Sequence, residues 1–201
     1  MVDARAITGA AHATIRRRIV ESAEAKRALL DDGLVDQVAE LAAVVTEALR
    51  RGNKVLFFGN GGSAADATHL AAEFVGRYLR DREPLNALSL TDNGSSVSGI
   101  GNDYAYDEVF SRQVRALGQA GDVAIGLSTS GRSRNVLEGL IEARRAGLHT
   151  AALTGAHGGE LPGIAELCLR MPARETARIQ ECYMLVGHTV CELVEATLFE
   201  P

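Results

Sequence analysis

A chain of 201 residues, 46% hydrophobic and 23% charged, has the length and apolar content for one compact domain with a full core. A net charge of −5 argues against a general nucleic-acid binder, which needs a basic surface. Three cysteines without a C-x-x-C pair exclude a disulfide framework and a thiolate zinc site. No apolar run approaches membrane-spanning length and the first ten residues lack a signal-peptide core, so a cytoplasmic protein with no membrane partner is expected.

Residues from about 5 to 51 read as two helices parted by "DDG" at 31–33. In the second, Leu34, Val38, Leu41 and Val45 recur at helical spacing and make one apolar face. From Lys54 onward the pattern changes. The short apolar runs "VLFF" (55–58), "ALSL" (87–90), "VAIGL" (123–127), "TAALT" (150–154) and "LCLRM" (167–171) alternate with helical stretches. Such runs predict a five-stranded parallel sheet covered on both faces, a doubly wound α/β domain. The whole chain, 1–201, reads as a single domain, with a helical N-terminal arm over about 1–51 and an α/β core over about 52–201.

The last predicted helix, roughly 176–199, is apolar nearly all round, with Ile179, Met184, Leu185, Val186, Val190, Leu193, Val194 and Leu198. A helix of that kind must be buried nearly all round. Either it is a central core helix, or it joins the N-terminal arm in an oligomer interface; the second is the more economical for a small domain.

Two loops follow predicted strands and lead into predicted helices: Gly59-Asn60-Gly61-Gly62-Ser63 and Ser128-Thr129-Ser130-Gly131-Arg132-Ser133. Open α/β sheets bind ligands at such places. Glycines let the backbone approach an anion, and the free N–H groups of a helix start point toward it. The first loop formally matches G-x-G-x-x-G/A, but the nearest acidic candidate, Asp92, lies beyond the distance that a dinucleotide fingerprint wants. A Walker loop fails for want of Lys-Ser/Thr. A tight turn with Ser63 as N-cap stays open. Two loops together, the second rich in hydroxyls, favour a compact phosphate ester.

His69 and Glu73 are four apart and share a helical face, as a surface contact or as a metal and acid–base pair. Gln180 and His188 stand on the apolar terminal helix and need polar partners there.

The motifs "GNGGSAADATHLAAEFVGRY", "GNDYAYDEVFSRQV", "STSGRSRNVL", "TGAHGGEL" and "ARIQE" followed by His188 occur in one order along the chain. On them the sequence resembles the phosphoheptose (sedoheptulose 7-phosphate) isomerases of the sugar-isomerase, or SIS, fold, which is flavodoxin-like. The resemblance implies an aldose–ketose isomerase that converts sedoheptulose 7-phosphate to D-glycero-D-manno-heptose 7-phosphate through an enediol, for bacterial heptose nucleotide biosynthesis. It implies a homotetramer with active sites at subunit interfaces and one divalent metal, usually zinc, per subunit. Metal ligands then fall on His69, Glu73, Gln180 and His188. Substrate contacts fall on Asn60, Gly61, Gly62, Glu73, Asn102, Asp103, Ser128, Thr129, Ser130, Ser133 and Gln180, and Glu73 with His188 matches the catalytic acid–base pair. Two positions depart from the family pattern: Arg132 where members have Asn, and Ala177 where some have Asp.

Proton transfer between C1 and C2 suits the carboxylate of Glu73, and proton movement on oxygen suits His188. Gln180 and His188 are eight residues apart, about 12 Å along a straight helix and roughly 80° round it, which suggests contributions from two subunits. Two other readings compete. "VRALGQAGDV" and "ARIQE…LVEATLF" resemble the SIS protein that binds the replication initiator DnaA, and a non-catalytic sugar-phosphate sensor would keep the serine loop alone. The presence of both Glu73 and His188 favours the enzyme.

Overall fold

The structure, a computed structural model, describes residues 4–199; the ends of the predicted 1–201 domain lie outside them. The arm is two helices, α1 (Ala4–Arg27) and α2 (Asp32–Arg50). The core follows as β1 (Val55–Gly59), α3 (Gly62–Val75), β2 (Ala87–Ser89), α4 (Gly94–Asp103), α5 (Val109–Leu117), β3 (Val123–Ser128), α6 (Arg134–Arg145), β4 (His149–Thr154), β5 (Leu167–Arg170) and α7 (Thr176–Phe199). All strand pairs are parallel, in the order β2-β1-β3-β4-β5. The five predicted runs form the five strands, and the terminal helix spans the predicted residues.

Alternation along the strands builds two cores. Val55 and Phe57 of β1, Val123, Ile125 and Leu127 of β3, and Ala151 and Leu153 of β4 face α2, α3 and α7. Leu56, Phe58, Ala124 and Ala152 face the other way, against Val109, Phe110 and Val114 of α5 and Val136, Leu137 and Leu140 of α6. A parallel sheet covered on both faces needs strands that are apolar at every position, and β1 and β3 are buried throughout.

Helix α7 corrects one expectation. At 24 residues, with a mean hydropathy of 1.2 over its most apolar stretch, it is long and apolar enough by those measures to cross a membrane. It lies against α1, α2 and α3, with Cys182, Tyr183, Val190 and Val194 in the core. Burial is not all round: Leu185 and Leu193 are 43% and 39% exposed, and the face of α1 that carries Ile15 and Ile19 is exposed too. At Gly187 the two helices α3 and α7 touch so closely that a Cβ would collide with the Leu70 side chain.

At the opposite end of the sheet from the glycine loops, Asp122 precedes β3 and is fully buried. It accepts hydrogen bonds from the backbone N–H groups of Lys54 (3.0 Å) and Gln119 (2.8 Å) and from Asn53 Nδ2 (3.2 Å). It also pairs with Lys54 Nζ at 2.6 Å. Burial opposes its charge, but these hydrogen bonds, led by that of the Lys54 side chain, outweigh it and hold the carboxyl below its ordinary value. Asp122→Asn keeps the shape and strands the Lys54 ammonium. Breaking a buried pair in this way costs about 3–5 kcal/mol, which urea unfolding at pH 7 is expected to read. A carboxyl with a lowered folded pKa contributes stability above its unfolded value of about 3.9 and loses it as the pH falls toward the folded value. The gap between wild type and variant is therefore expected to close in acid. A gap that stayed constant from pH 7 to pH 3 would contradict the charge-based account.

Candidate active site

Strands β1 and β3 lie side by side, with Gly59 in register with Leu127. Their following loops therefore leave the sheet together. The chain continues from β1 to β2 on one side and from β3 to β4 and β5 on the other, which opens the crevice where doubly wound sheets bind ligands.

The first loop turns at Gly61, whose φ of 55° and ψ of −121° suit glycine alone. Gly61 is the N-cap of α3, and no side chain caps that helix. Ser63, the N-cap of the tight-turn reading, instead lies in the first helical turn and is buried. The left-handed turn starts the helix earlier than the serine suggested, with no side-chain cap at its first turn. Asn60 is held firmly. Its amide and that of Asn135 donate to each other's Oδ1 at 2.8 Å, and Tyr106 Oη donates to Asn60 Oδ1 at 3.0 Å. Asn135 is buried at the start of α6, so one amide pair ties the two loops together.

In the second loop the hydroxyls of Ser128 and Ser133 lie 2.9 Å apart. Ser130 Oγ accepts from the backbone N–H of Arg132 at 3.2 Å, and Thr129 is partly buried beside them. Arg132 itself is exposed. Asn102 and Asp103 end α4, exposed, with Asn102 Nδ2 donating to Asp103 Oδ1 at 2.8 Å. The segment that follows brings Tyr106 onto Asn60.

His69 and Glu73 stand one turn apart on α3, and His188 faces them from α7. His69 Nε2 is 3.0 Å from Glu73 Oε1 and 3.1 Å from His188 Nε2. One donor atom from each lies within 4.8 Å of the other two. Zinc bound tetrahedrally at about 2.0–2.1 Å separates its donor atoms by about 3.3 Å, so two imidazoles and a carboxylate at these spacings fit a divalent ion with one position left open. His69 is half exposed and Glu73 largely covered, which leaves the cluster open on one side. The Tyr78 ring stacks on His188 with centroids 5.2 Å apart.

Gln180 is placed elsewhere. Its carboxamide lies against Gly62, where a Cβ would collide with it. Gly62 is seven residues before His69, about 10 Å along α3. Within one chain, then, three of the four expected metal ligands converge, and Gln180 sits at the glycine loop.

Several residues about the site gave no local signal in the sequence. Asn135 and Tyr106 were within the quoted motifs but unmarked there. Asp66, one turn before His69, has its carboxyl pushed up to about 6 by burial, against the opposing pull of His69. Among the described residues, neither its Oδ2 nor the buried hydroxyl of Tyr183 has a hydrogen-bond partner. Glu195 and Arg82 form a buried pair beside Tyr78. Only the folded chain brings these distant charges together.

Residues 20–155 match the SIS domain family model. The chain is 53% identical over 161 residues to the phosphoheptose isomerase of Rhodospirillum rubrum, covering 80% of this chain and 86% of the relative. It is 48% identical over 185 residues to that of Akkermansia muciniphila, covering 92% and 97%. Among solved structures, the phosphoheptose isomerase of Neisseria gonorrhoeae superposes with a TM-score of 0.83 at 39% identity, covering 94% of this chain and 99% of that one.

The three-donor cluster predicts a metal-binding consequence. His188→Ala removes one donor of three, and calorimetric titration with zinc is expected to show affinity at least about tenfold weaker than wild type. Unchanged affinity would place the ion elsewhere.

Proposed function

The chain belongs to the phosphoheptose isomerase family of SIS proteins, and from that membership we propose how its own residues carry the reaction. It is an aldose–ketose isomerase that converts sedoheptulose 7-phosphate to D-glycero-D-manno-heptose 7-phosphate. The observation that carries the residue assignments is the meeting of His69, Glu73 and His188 across α3 and α7, on the helix that the glycine loop opens.

The phosphate is held by Ser128, Thr129, Ser130 and Ser133 at the start of α6, where hydroxyls and helix N–H groups offer donors without a bulky charge. Asn60, Gly61 and Gly62 receive the sugar end, with Asn102, Asp103 and Gln180 as further hydroxyl partners. Glu73 takes the proton from C1 of the ketose and returns it to C2. Its Oε1 faces His69, which leaves the second oxygen for the substrate carbon. His188 moves protons on oxygen, first to open the sugar ring and then as O1 loses and O2 gains a hydrogen. His69, Glu73 and His188 would hold a divalent metal, zinc best suiting the donor set, and it would supply Lewis-acid polarisation of the carbonyl. A non-catalytic SIS role would have no use for this cluster.

The assembly proposed is a homotetramer, residues 1–201 of each chain forming a single domain, with sites at subunit interfaces. Two features support it. Leu185 and Leu193 on α7 and Ile15 and Ile19 on α1 are exposed apolar side chains. Gln180, set apart from the metal ligands of its own chain, can serve as fourth ligand in a neighbour's site. A cytoplasmic setting is proposed too, in keeping with three free cysteines.

The test is incubation of zinc-loaded protein with sedoheptulose 7-phosphate, followed by NMR for the aldoheptose phosphate. Glu73→Gln keeps size and removes the base; it is expected to abolish turnover while binding of the substrate persists. Turnover within a few-fold of wild type would remove Glu73 from the proton path. Ser130→Ala with Ser133→Ala is expected to raise KM, each lost hydrogen bond to the charged phosphate being worth about 1.5–3 kcal/mol. An unchanged KM would move the phosphate to another loop.

A further inference from the structure

The most completely bonded charged pair among the described residues lies outside the reacting groups. The side chains of Glu195 of α7 and Arg82, in the segment after α3, are each 2% exposed, with Arg82 Nε 2.8 Å from Glu195 Oε1. Both carboxylate oxygens are engaged further. The backbone N–H groups of Tyr78 (2.7 Å), Leu79 (2.9 Å) and Arg80 (3.1 Å) donate to them. Burial opposes charge on Glu195, but these amides and the guanidinium outweigh it and keep the carboxyl below its ordinary value. On the other side, Arg82 donates to the carbonyl oxygens of Glu73 (Nη2, 2.9 Å), Phe74 (Nη1, 2.9 Å) and Glu83 (Nη1, 3.0 Å). Those of Glu73 and Phe74 are carbonyls of the last turn of α3, which lack helical partners of their own.

Each arm of this clasp ends on a residue of the site. Arg82 holds the backbone oxygen of Glu73. Glu195 holds the backbone N–H of Tyr78, whose ring stacks on His188. Glu195 is also seven residues beyond His188 on α7. Seven residues are two turns, so both lie on one face of the helix, about 10 Å apart along its axis. Helices α3 and α7 can slide on an apolar contact such as that of Leu70 with Gly187. They cannot slide past a guanidinium and a carboxylate whose hydrogen bonds fix both ends. A buried ion pair adds little net stability compared with an apolar pair of the same volume. What this one supplies is geometry, since reacting groups misplaced by about 1 Å can lose on the order of a hundredfold in rate.

We propose that Arg82 and Glu195 are positioning residues for the site, setting the register of α3 against α7 so that Glu73 meets His188 and His69 at bonding distance. The proposal rests on the assignment of Glu73 and His188 to the reaction.

The test uses full-length Glu195→Gln, which keeps the shape but turns an amide N–H₂ toward donors that need an acceptor. Three quantities are measured beside wild type at 25 °C: kcat, KM for sedoheptulose 7-phosphate, and the zinc dissociation constant by competition with a chromophoric chelator. The expected result is a fall in kcat of about 10–100-fold with KM within threefold, and a zinc dissociation constant raised at least about tenfold. Arg82→Lys, which keeps the charge but cannot reach all the carbonyls, is expected to do the same and stands in if Glu195→Gln does not fold. A folded variant that melts earlier yet keeps kcat within threefold of wild type would make the clasp merely structural and overturn the proposal. So would a loss expressed entirely in KM. If wild type itself failed to turn over the sugar phosphate, the functional assignment would fall, and the zinc constant alone would decide the positioning role: raised in the variant it stands, unchanged it fails.

Discussion

Everything chemical in this protein depends on how closely α3 and α7 approach. They belong to different parts of the chain, one following the first strand and the other ending the fold. Each carries part of the candidate cluster: His69 and Glu73 on one, His188 on the other. Helices usually pack with axes 8–10 Å apart, at a distance set by the side chains between them. Here Gly187 contributes no side chain, and Leu70 occupies the space. The imidazoles of His69 and His188 can then meet at 3.1 Å. A methyl group at position 187 would collide with the Leu70 side chain, which would have to give way.

The two ends of the crevice divide the work by chemistry. Toward the sheet, backbone amides and small hydroxyls make a neutral, directional surface for an anion. Along the helices, imidazoles and a carboxylate make the part that can move protons or hold a metal. The amide pair of Asn60 with Asn135 stands at the sheet end and joins the two loops. The Arg82–Glu195 pair stands at the far end. A sugar phosphate is itself an object with an anionic end and a carbonyl end, and the proposed assignment follows that polarity.

Most of the fold was legible in the sequence, because a doubly wound sheet writes itself as short apolar runs separated by helices. The five runs beginning at Val55, Ala87, Val123, Thr150 and Leu167 became the strands. The parts of the candidate site that are close in sequence stood out there: the glycine loop, the serine loop, and His69 with Glu73. It was less so where the determining fact was a backbone angle or a distant partner. Ser63 looked like an N-cap, but the left-handed Gly61 took that place. Arg82 and Glu195, 113 residues apart, carry no mark in the sequence that would set them apart from its other charges. The terminal helix looked buried all round, yet Leu185 and Leu193 are exposed. An apolar pattern says that a surface wants covering and leaves open what covers it.

The ion pair of Asp122 with Lys54 is at the opposite edge of the sheet from the serine loop. The six residues of β3 between them span about 20 Å. The intervening strand is buried along its whole length, and no polar contact of Asp122 or Lys54 reaches a residue of the serine loop. Durability and selectivity can therefore drift independently in this scaffold. A lineage moving to a hotter habitat can retune the lower edge while its substrate preference stays as it was, and one acquiring a new sugar can rebuild the upper loops without first securing the fold.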